Sequence, residues 1–398
     1  MFNSLLVITP RGYESRLWRY LSPVLALVLT GLVTAAIFAA MGRPPFRTVT
    51  TFLIAPLLQQ GGLEALVVKA APLILMGAGV SAAYRANVWN IGTEGQFTLG
   101  AIAGGGVALA LPDAPGWLVF PLMVAVGTLG GMAAGGMVAW LRTRFNASEI
   151  LTSLMLTYIL QYVLIWLVTG PWRDPMGFGF PQTALFSDAA RGPRLQEDSN
   201  LHLGVILAPA LAAVLWFVMQ RTVLGFQLRV LGQAPRAAGF AGFSERRLVW
   251  TALLLSGGLA GLAGLFEVSG MLGQLTTSLS PGYGFAAIIV AFVGRLSPLG
   301  CIPAGLLLAL SYLGGDAAQI NLGLPNAVTG IFQGILLFML LACDVLLLHR
   351  IRRAPTGSPA TPAIQLPAHP AARPAAGGMM AARSAACAAT APARTRTE

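Results

Sequence analysis

The stretch N87-VWNIGTEGQFTL-G100 is a polar island in an otherwise strongly apolar chain. It combines one carboxylate, Glu94, with two asparagines, one glutamine and three glycines. Gly92 and Gly95 flank the carboxylate closely, and glycine is unfavourable in the interior of a regular helix. The medium around this stretch decides how the buried charge is to be interpreted.

The composition indicates that the medium is a lipid bilayer. Of the 398 residues, 56% are hydrophobic and only 10% are charged, and the mean hydropathy is +0.73. Soluble domains carry roughly 25% charged residues. The net charge of +11 is almost entirely arginine, since Lys69 is the only lysine. The arginines fall in short groups between apolar runs, which is typical of topology signals and not of nucleic-acid binding.

Apolar runs of the length needed to cross a bilayer recur along the chain. A crossing helix takes about 20 mostly apolar residues. We predict an all-α polytopic membrane protein with about ten transmembrane helices (8–10), some of them broken or re-entrant. The predicted spans are 20–41, 63–84, 96–111, 116–141, 150–171, 203–220, 248–268, 283–295, 299–316 and 326–348.

Arginine asymmetry predicts the orientation and the boundaries. Arg11, Arg16 and Arg19 precede the first span, and ten crossings then put both termini in the cytoplasm. Arg43 and Arg47 disagree with this orientation. We predict a cytoplasmic N-terminus over 1–19, a transmembrane domain over 20–349 and a disordered tail over 350–398. The tail is rich in alanine, proline and arginine and has too few large apolar residues to form a core.

Familiar catalytic motifs are absent from the sequence. There is no GxxxxGK[ST] phosphate loop, no HExxH and no GxSxG. The three cysteines lack CxxC spacing. We therefore expect no catalytic residues, no metal and no cofactor. Energised work by this protein would require ATP bound by partner subunits.

Several other charges fall in or near the predicted spans. Glu64 and Glu149 suit helix starts, where a carboxylate complements the helix dipole. Asp316 follows Gly314 and Gly315 and is predicted to lie at a helix end. Lys69 either snorkels or pairs with a carboxylate, and Glu267, near an outer helix end, stays unassigned. Three GxxxG pairs predict close helix packing: Gly100/Gly104, Gly131/Gly135 and Gly257/Gly261.

Glu94 has no such simple explanation. Irregular polar backbone at membrane depth is tolerated where it is buried in protein or lines a water-filled cavity. Broken helices of this kind often build substrate paths. We interpret 87–100 as a break between helices. Glu94 then lines a pathway or packing junction, or it caps the first turn of the helix that follows.

The same stretch carries a family resemblance. NVWNIGTEGQFTLGA resembles the signature of permease subunits of bacterial nucleoside-type ABC importers, within the branched-chain amino-acid and simple-sugar permease superfamily. The family's Phe-Asn-Ile-Gly reads Trp89-Asn90-Ile91-Gly92 here. Similar segments cover most of residues 50–345: KAAPLILMGAGVSAAYRA (69–86), NASEILTSLMLTYI (146–159), LRVLGQAPRAAGFAGF (228–243), LSGGLAGLAGLFEVSG (255–270) and GYGFAAIIVAFVGRLSPLG (282–300).

The resemblance implies a multi-pass subunit of the bacterial inner membrane. Two permeases, expected to be non-identical, form one pore. Cytoplasmic ATP-binding subunits dock beneath it, and an extracytoplasmic binding protein or lipoprotein delivers the substrate. For a nucleoside, Asn90, Glu94 and Gln96 would offer hydrogen bonds and Phe97 a stacking face.

The resemblance also implies that segment 228–243 couples the permease to the ATPase. Gly232 and Pro235 can start a short helix, and small residues would let it enter a cleft. Arg229 and Arg236 could pair with acids there. The coupling residues are then Arg229, Gly232, Pro235, Arg236, Ala237, Ala238, Gly239 and Gly242. An ordinary basic loop would also satisfy the positive-inside rule.

Other functions remain open at this point. A simple-sugar or branched-chain amino-acid permease would share the superfamily features. An ion-driven secondary transporter would need no ATPase, and a membrane scaffold would carry no flux.

Overall fold

The computed structural model describes residues 6–10, 16–40, 42–193, 199–325 and 327–353. Helices dominate this part of the chain. They are α1 (Arg16–Ala40), α2 (Pro45–Leu53), α3 (Ala55–Leu58), α4 (Gly62–Arg85), α5 (Thr93–Ala110), α6 (Gly116–Phe145), α7 (Glu149–Thr169), α8 (Leu203–Arg221), α9 (Val223–Gln233), α10 (Pro235–Phe240), α11 (Glu245–Phe266), a π-helix (Glu267–Leu272), α12 (Tyr283–Val293), α13 (Cys301–Leu322) and α14 (Ala327–Leu348). Two short strands, β1 (Leu6–Pro10) and β2 (His349–Arg353), pair with each other.

The predicted fold class is confirmed. Seven helices of the described ranges are long and apolar enough to cross a membrane, and two shorter apolar helices lie at Tyr283–Val293 and Ala327–Cys343. With α5, these helices match the ten predicted spans in order. Residues 10–350 form one compact unit. Of the predicted disordered tail, residues 350–353 belong to β2 and 354–398 lie outside the described residues.

The centre of the helical body is held by close backbone approach. A Cβ on Gly100 would overlap the backbone of Gly261, and a Cβ on Gly131 would overlap the backbone of Gly257. The predicted GxxxG pairs of α5, α6 and α11 therefore face one another and are confirmed as packing surfaces. Lipid gives helices little hydrophobic reason to associate, so dispersion contacts at such glycine faces supply the packing.

One end of the helical body is marked by arginine. Arg85 ends α4, Arg142 and Arg144 lie in the last turn of α6, and Arg221 ends α8. Arg142 pairs with Glu149 at the start of α7, with 2.7 Å between Nη1 and Oε1. These contacts put the starts and ends of neighbouring helices at the same level. We call this the arginine-rich end.

Helix α12 crosses only part of the membrane. It has 11 residues, and at about 1.5 Å per residue it spans roughly 16 Å, about half of a bilayer core of ~30 Å. Its last turn lies near the arginine-rich end, because the rings of Phe292 and Tyr84 are 5.8 Å apart. Residues 273–282, which precede it, are not helical. This non-helical segment and α12 together form one broken crossing, in agreement with the prediction that some of the helices are broken.

The prediction for Asp316 is wrong. Helix α13 continues to Leu322, so Asp316 lies inside it and not at its end. The glycines before it serve packing: a Cβ on Gly314 would overlap the carbonyl oxygen of Phe52. Asp316 instead meets Lys69 across α4 and α13, at 2.6 Å.

The other predicted charge positions agree with the structure. Glu64 lies in the first turn of α4, where its Oε1 accepts hydrogen bonds from the Ser199 hydroxyl and the Asn200 amide. Glu149 is the first residue of α7. Glu267 begins the π-helix and is buried.

Candidate functional site

The break between α4 and α5 is a compact polar turn. Helix α4 ends at Arg85, and Asn87 adopts a left-handed conformation with φ of 56°, which asparagine tolerates better than most residues. Its side-chain oxygen accepts a hydrogen bond from the Trp89 indole at 3.0 Å. The chain then reverses, and α5 begins at Thr93. The break therefore spans residues 86–92. The prediction that it extends to residue 100 is wrong, because α5 is regular helix from Thr93 onwards and contains Glu94, Gly95 and Gly100.

Two of the predicted pathway residues hold this break together. The Asn90 amide donates to Gln96 Oε1 and to Ser256 Oγ, both at 2.9 Å. Gln96 returns a hydrogen bond to Asn90 Oδ1 at 3.1 Å, and the Gly92 amide donates to the same oxygen at 3.2 Å. Both side chains are fully buried. Their polar groups are used within the protein, which fastens α5 to α11.

Glu94 lies where two helix N-termini converge. It is the second residue of α5, and its Oε2 accepts the backbone N–H of Gly284, in the first turn of α12, at 2.6 Å. The Thr93 hydroxyl donates to the Gly284 carbonyl at 3.0 Å. A Cβ on Gly284 would overlap the Glu94 backbone nitrogen. Glycine is therefore required where the two first turns touch.

This position compensates the buried charge. Glu94 is only 2% exposed, and a charge at membrane depth costs about 2.5–3.5 kcal/mol. A hydrogen bond to a charged group contributes about 1.5–3 kcal/mol. The partial positive charge of a helix N-terminus adds up to about 2 kcal/mol in a partly buried site. The gains and the cost are of the same size, so the fold can keep a carboxylate here.

Glu94 also lines a cavity of about 240 Å³. Its walls come from α5, α7 and the non-helical segment 273–282, and they mix apolar with hydroxyl and amide groups. Gly92 and Gly95 pack against Ser153 and Thr157 of α7, so Glu94 lies about 6–12 Å along α7 from its start at the arginine-rich end. The lining residues are Glu94, Thr98, Gln161, Leu164, Ile165, Thr277, Leu279 and Ser280.

Ser280 connects the cavity wall to the helix end. Its hydroxyl oxygen accepts hydrogen bonds from the backbone amides of Gly282 and Tyr283, at 3.1 and 2.9 Å. The non-helical segment 273–282 is fixed at its other end by Thr183. The Thr183 amide donates to the Leu275 carbonyl, and the Thr183 hydroxyl accepts a hydrogen bond from the Leu275 amide, both at 3.0 Å. The cavity therefore has one wall of non-helical backbone that is tied at both ends.

Phe97 does not line this cavity. It is completely buried, and its ring lies edge-on to Tyr283 with centroids 6.3 Å apart. Of the four predicted pathway residues, the structure brings Glu94 to the cavity and Asn90, Gln96 and Phe97 to the protein interior beside it.

Sequence reasoning missed the remaining polar lining. Gln161 is a strongly polar residue inside an apolar span, and that contrast alone could have identified it. Thr277 and Ser280 gave no comparable signal, because a short polar run between spans usually indicates an exposed loop.

The predicted coupling segment forms two helices at the arginine-rich end. Pro235 is the first residue of α10, as predicted. Gly232 lies near the end of α9 instead of starting a helix, because its missing Cβ lets α9 approach the Arg85 carbonyl. Arg229 donates to Gln220 of its own chain at 3.1 Å.

The tip of this segment is open. Arg236, Ala237, Gly239 and Gly242 are exposed, whereas Ala238 is buried. No heavy atom lies within 4 Å of a Cβ built on Gly239 or Gly242. Phe240, which was not among the predicted residues, is 95% exposed.

Residues 62–341 match the protein family described as branched-chain amino acid transport system / permease component. This range covers well over half of the chain. The chain belongs to this family. It is an ABC transporter permease, and the predicted multi-pass membrane character agrees with its helices.

Named relatives of the permease differ in substrate. A glucose ABC transporter permease protein of Haloferax volcanii is 33% identical, over 88% of this chain and 94% of that protein. A nucleoside ABC transporter permease protein of Lactococcus lactis is 28% identical, over 81% and 90%. A guanosine ABC transporter permease protein of Bacillus subtilis is 31% identical, over 67% and 77%.

Proposed function

We propose that this permease forms the pathway for nucleosides or related nucleobase compounds in an ATP-driven importer of a bacterial inner membrane. The observation that carries the proposal is the cavity at Glu94, which offers hydroxyl, amide and carboxylate groups at membrane depth. A nucleoside is neutral and rich in hydrogen-bonding groups. Its passage needs polar partners and no strong opposite charge.

The cavity chemistry supports this substrate class. Thr98, Gln161, Thr277 and Ser280 can donate and accept hydrogen bonds, and Glu94 can accept them. A free amino acid is a zwitterion, and although its ammonium group could pair with Glu94, the residues that line the cavity include no cation for its carboxylate. The cavity therefore suits a neutral polyhydroxylated solute better than a branched-chain amino acid.

A simple sugar is the second candidate. The relative with 33% identity is named for glucose, and a sugar offers the same hydroxyl groups as the ribose of a nucleoside. The two candidates differ in the base, which needs additional flat apolar contact. Leu164, Ile165 and Leu279 are apolar residues of the cavity that could supply it.

A second permease subunit, non-identical in this proposal, completes the pathway. Ile159, Tyr162 and Trp166 lie on one stripe of α7 and are 57, 70 and 63% exposed. Ile165, beside this stripe, is both a lining residue of the cavity and 40% exposed. A partner on this side of α7 would enclose the cavity between two subunits. An extracytoplasmic binding protein delivers the substrate from the end opposite the arginine-rich end.

Cytoplasmic ATP-binding subunits dock on α10. A short helix with an exposed aromatic tip is suited to a cleft on a soluble partner, since exposed aromatic residues often anchor interfaces. With the arginine-rich end in the cytoplasm, as the positive-inside rule predicts, both termini are cytoplasmic. ATP is bound and hydrolysed by these partners.

The proposal is tested on the complex of the permease with its partner subunits and binding protein, reconstituted in vesicles. Labelled uridine, adenosine, ribose and glucose are compared for uptake and for stimulation of ATP hydrolysis. We expect nucleosides to stimulate both. Stimulation by ribose or glucose alone would show that the substrate is a sugar and not a nucleoside. Uptake that survives loss of the ATPase and falls with an uncoupler would indicate an ion-driven transporter.

The coupling contact is tested by Phe240→Asp and by a bulky residue at Gly239, because Gly242 has a left-handed φ of 78° at which any side chain would strain the backbone. We expect loss of ATPase association with the membrane subunits. Arg144→Gln, an exposed change at the same end on α6, is the matched control. Normal association and transport of the α10 variants would refute docking on this helix.

A further inference from the structure

A second cavity, of about 320 Å³, lies between α1, α13 and α14. It is separate from the cavity at Glu94 and shares no lining residue with it. Every residue that lines it is apolar or glycine, including Pro23 and Leu27 of α1, Ala304 and Leu307 of α13, and Leu336 and Leu340 of α14. Its chemistry does not suit a polar cargo.

This cavity lies in the half of the membrane at the arginine-rich end. Val293, the last residue of α12, and Gly300, just before α13, form part of its wall. The neighbouring Phe292 contacts Tyr84, which lies in the last turn of α4. On α13 the lining comes from the first two turns. Val24, at 58% exposure, also lines the cavity, so α1 leaves a path to it from the surrounding medium.

An arginine is held beside two residues of the cavity wall. The Arg295 guanidinium donates from Nη2 to the Ser22 hydroxyl at 2.9 Å, and Ser22 is completely buried. Ser22 precedes the lining residue Pro23, and Arg295 follows the lining residue Val293 by two positions. The charged group is therefore next to the apolar walls on both α1 and α12.

The backbone fixes Arg295 in this position. Arg295 and Leu296 both adopt left-handed conformations, with φ of 58° and 51°. Two consecutive non-glycine residues in this region are unfavourable and persist only where the surroundings determine them. The Leu296 amide donates to the Ala291 carbonyl at 2.7 Å and closes the end of α12.

We propose that this cavity binds an acyl chain of an anionic phospholipid from the leaflet at the arginine-rich end. The chain fills the apolar space between α1 and α13, and the lipid phosphate lies beside Arg295. A guanidinium matches phosphate geometry well, and basic pockets between membrane helices bind anionic headgroups. The bound lipid joins α1 to the helical body across the cavity that both helices line.

Native mass spectrometry of the intact permease complex tests the proposal, with phosphatidylglycerol and phosphatidylcholine added in turn. We expect one phosphatidylglycerol to bind more tightly than phosphatidylcholine. Arg295→Gln should weaken phosphatidylglycerol binding about fivefold, the effect expected for removing one arginine charge near an anionic lipid surface. Arg221→Gln, which removes an exposed arginine from the same end on α8, should leave binding unchanged.

Filling the cavity tests the chain-binding part separately. Ala304→Phe should abolish retention of both lipids, whereas Leu336→Met, which conserves volume, should bind like the wild type. Equal effects of Arg295→Gln and Arg221→Gln would overturn the headgroup assignment. A wild-type complex that binds no lipid here, or unchanged binding by Ala304→Phe, would overturn the site itself. These readouts require no transport substrate, so they stand or fall independently of the proposed cargo.

Discussion

Replacing Glu94 by glutamine separates the two roles that its position allows. The substitution keeps the side-chain volume and an oxygen that can accept the Gly284 N–H, which now bonds Oε2 at 2.6 Å. A charged acceptor becomes a neutral one, with a loss of about 1 kcal/mol. The interaction with the helix N-termini falls by up to about 2 kcal/mol. Removing a buried charge returns about 2.5–3.5 kcal/mol.

These contributions cancel to within about 1 kcal/mol, so Glu94→Gln should fold with nearly wild-type stability. Transport should respond differently. A cargo hydroxyl that donates to the Glu94 carboxylate loses the difference between a charged and a neutral acceptor, about 1–1.5 kcal/mol. That difference corresponds to roughly a tenfold effect. We therefore expect about tenfold slower uptake with unchanged binding-protein affinity.

The assay is uptake and ATP hydrolysis in vesicles, together with thermal unfolding of the purified complex. Glu64→Gln is the matched control. Glu64 also lies in a first helical turn and, like Glu94, accepts a backbone hydrogen bond, but it is not among the residues that line the cavity. Glu94→Gln with normal stability and uptake within twofold of wild type would show that the charge only holds the helix ends. A loss of stability above about 3 kcal/mol would refute the energetic argument.

Three further substitutions test the interior around the site. Asn90→Ala removes the bonds to Gln96 and Ser256 and should lower the unfolding free energy by about 2–3 kcal/mol, measured by thermal unfolding against Gln161→Ala as a cavity control. Gly284→Ala should cost about 1–3 kcal/mol through overlap with the first turn of α5, and it should reduce uptake. Lys69→Met should destabilise the complex by about 1 kcal/mol, because the Asp316 side chain that loses its ion pair is 49% exposed. A double mutant that also neutralises Asp316 should recover part of the loss.

Each of these has an outcome that contradicts it. Equal stability of Asn90→Ala and Gln161→Ala would mean that the amide network does not fasten α5. Full uptake by Gly284→Ala would mean that the contact of the two first turns can relax without consequence. Strictly additive effects at Lys69 and Asp316 would show that the pair at 2.6 Å contributes no coupling energy.

The sequence alone was sufficient for the features that depend on local pattern. The low charge content indicates a lipid bilayer as the medium. The apolar runs give the number of helices, because each helix that crosses the bilayer needs about 20 residues and must satisfy its own backbone hydrogen bonds. Gly92 predicted the break that ends before α5, although Gly95 lies inside that helix, and Pro235 predicted the start of α10. These signals are short-range, so no knowledge of packing was needed to interpret them.

Local pattern failed where glycine had two possible meanings. Gly314 and Gly315 were interpreted as a helix end, and Gly232 as a helix start. In the structure they lie within α13 and α9 and allow close approach to a neighbouring backbone or side chain. A glycine in the sequence does not show whether a helix ends there or packs closely against a neighbour, since both depend on the absence of a Cβ.

Only the tertiary structure decided the partner of each buried polar group. Glu94 meets the Gly284 amide 190 positions away, and Asn90 meets Ser256 166 positions away. These pairs exist because glycine faces bring α5, α11 and α12 close enough for hydrogen bonds of about 3 Å. The sequence therefore determined that a carboxylate lies at a break inside the membrane. The packing of distant helices determined that this carboxylate is held by a half-helix and lines a cavity, while its amide neighbours and Phe97 are in the interior.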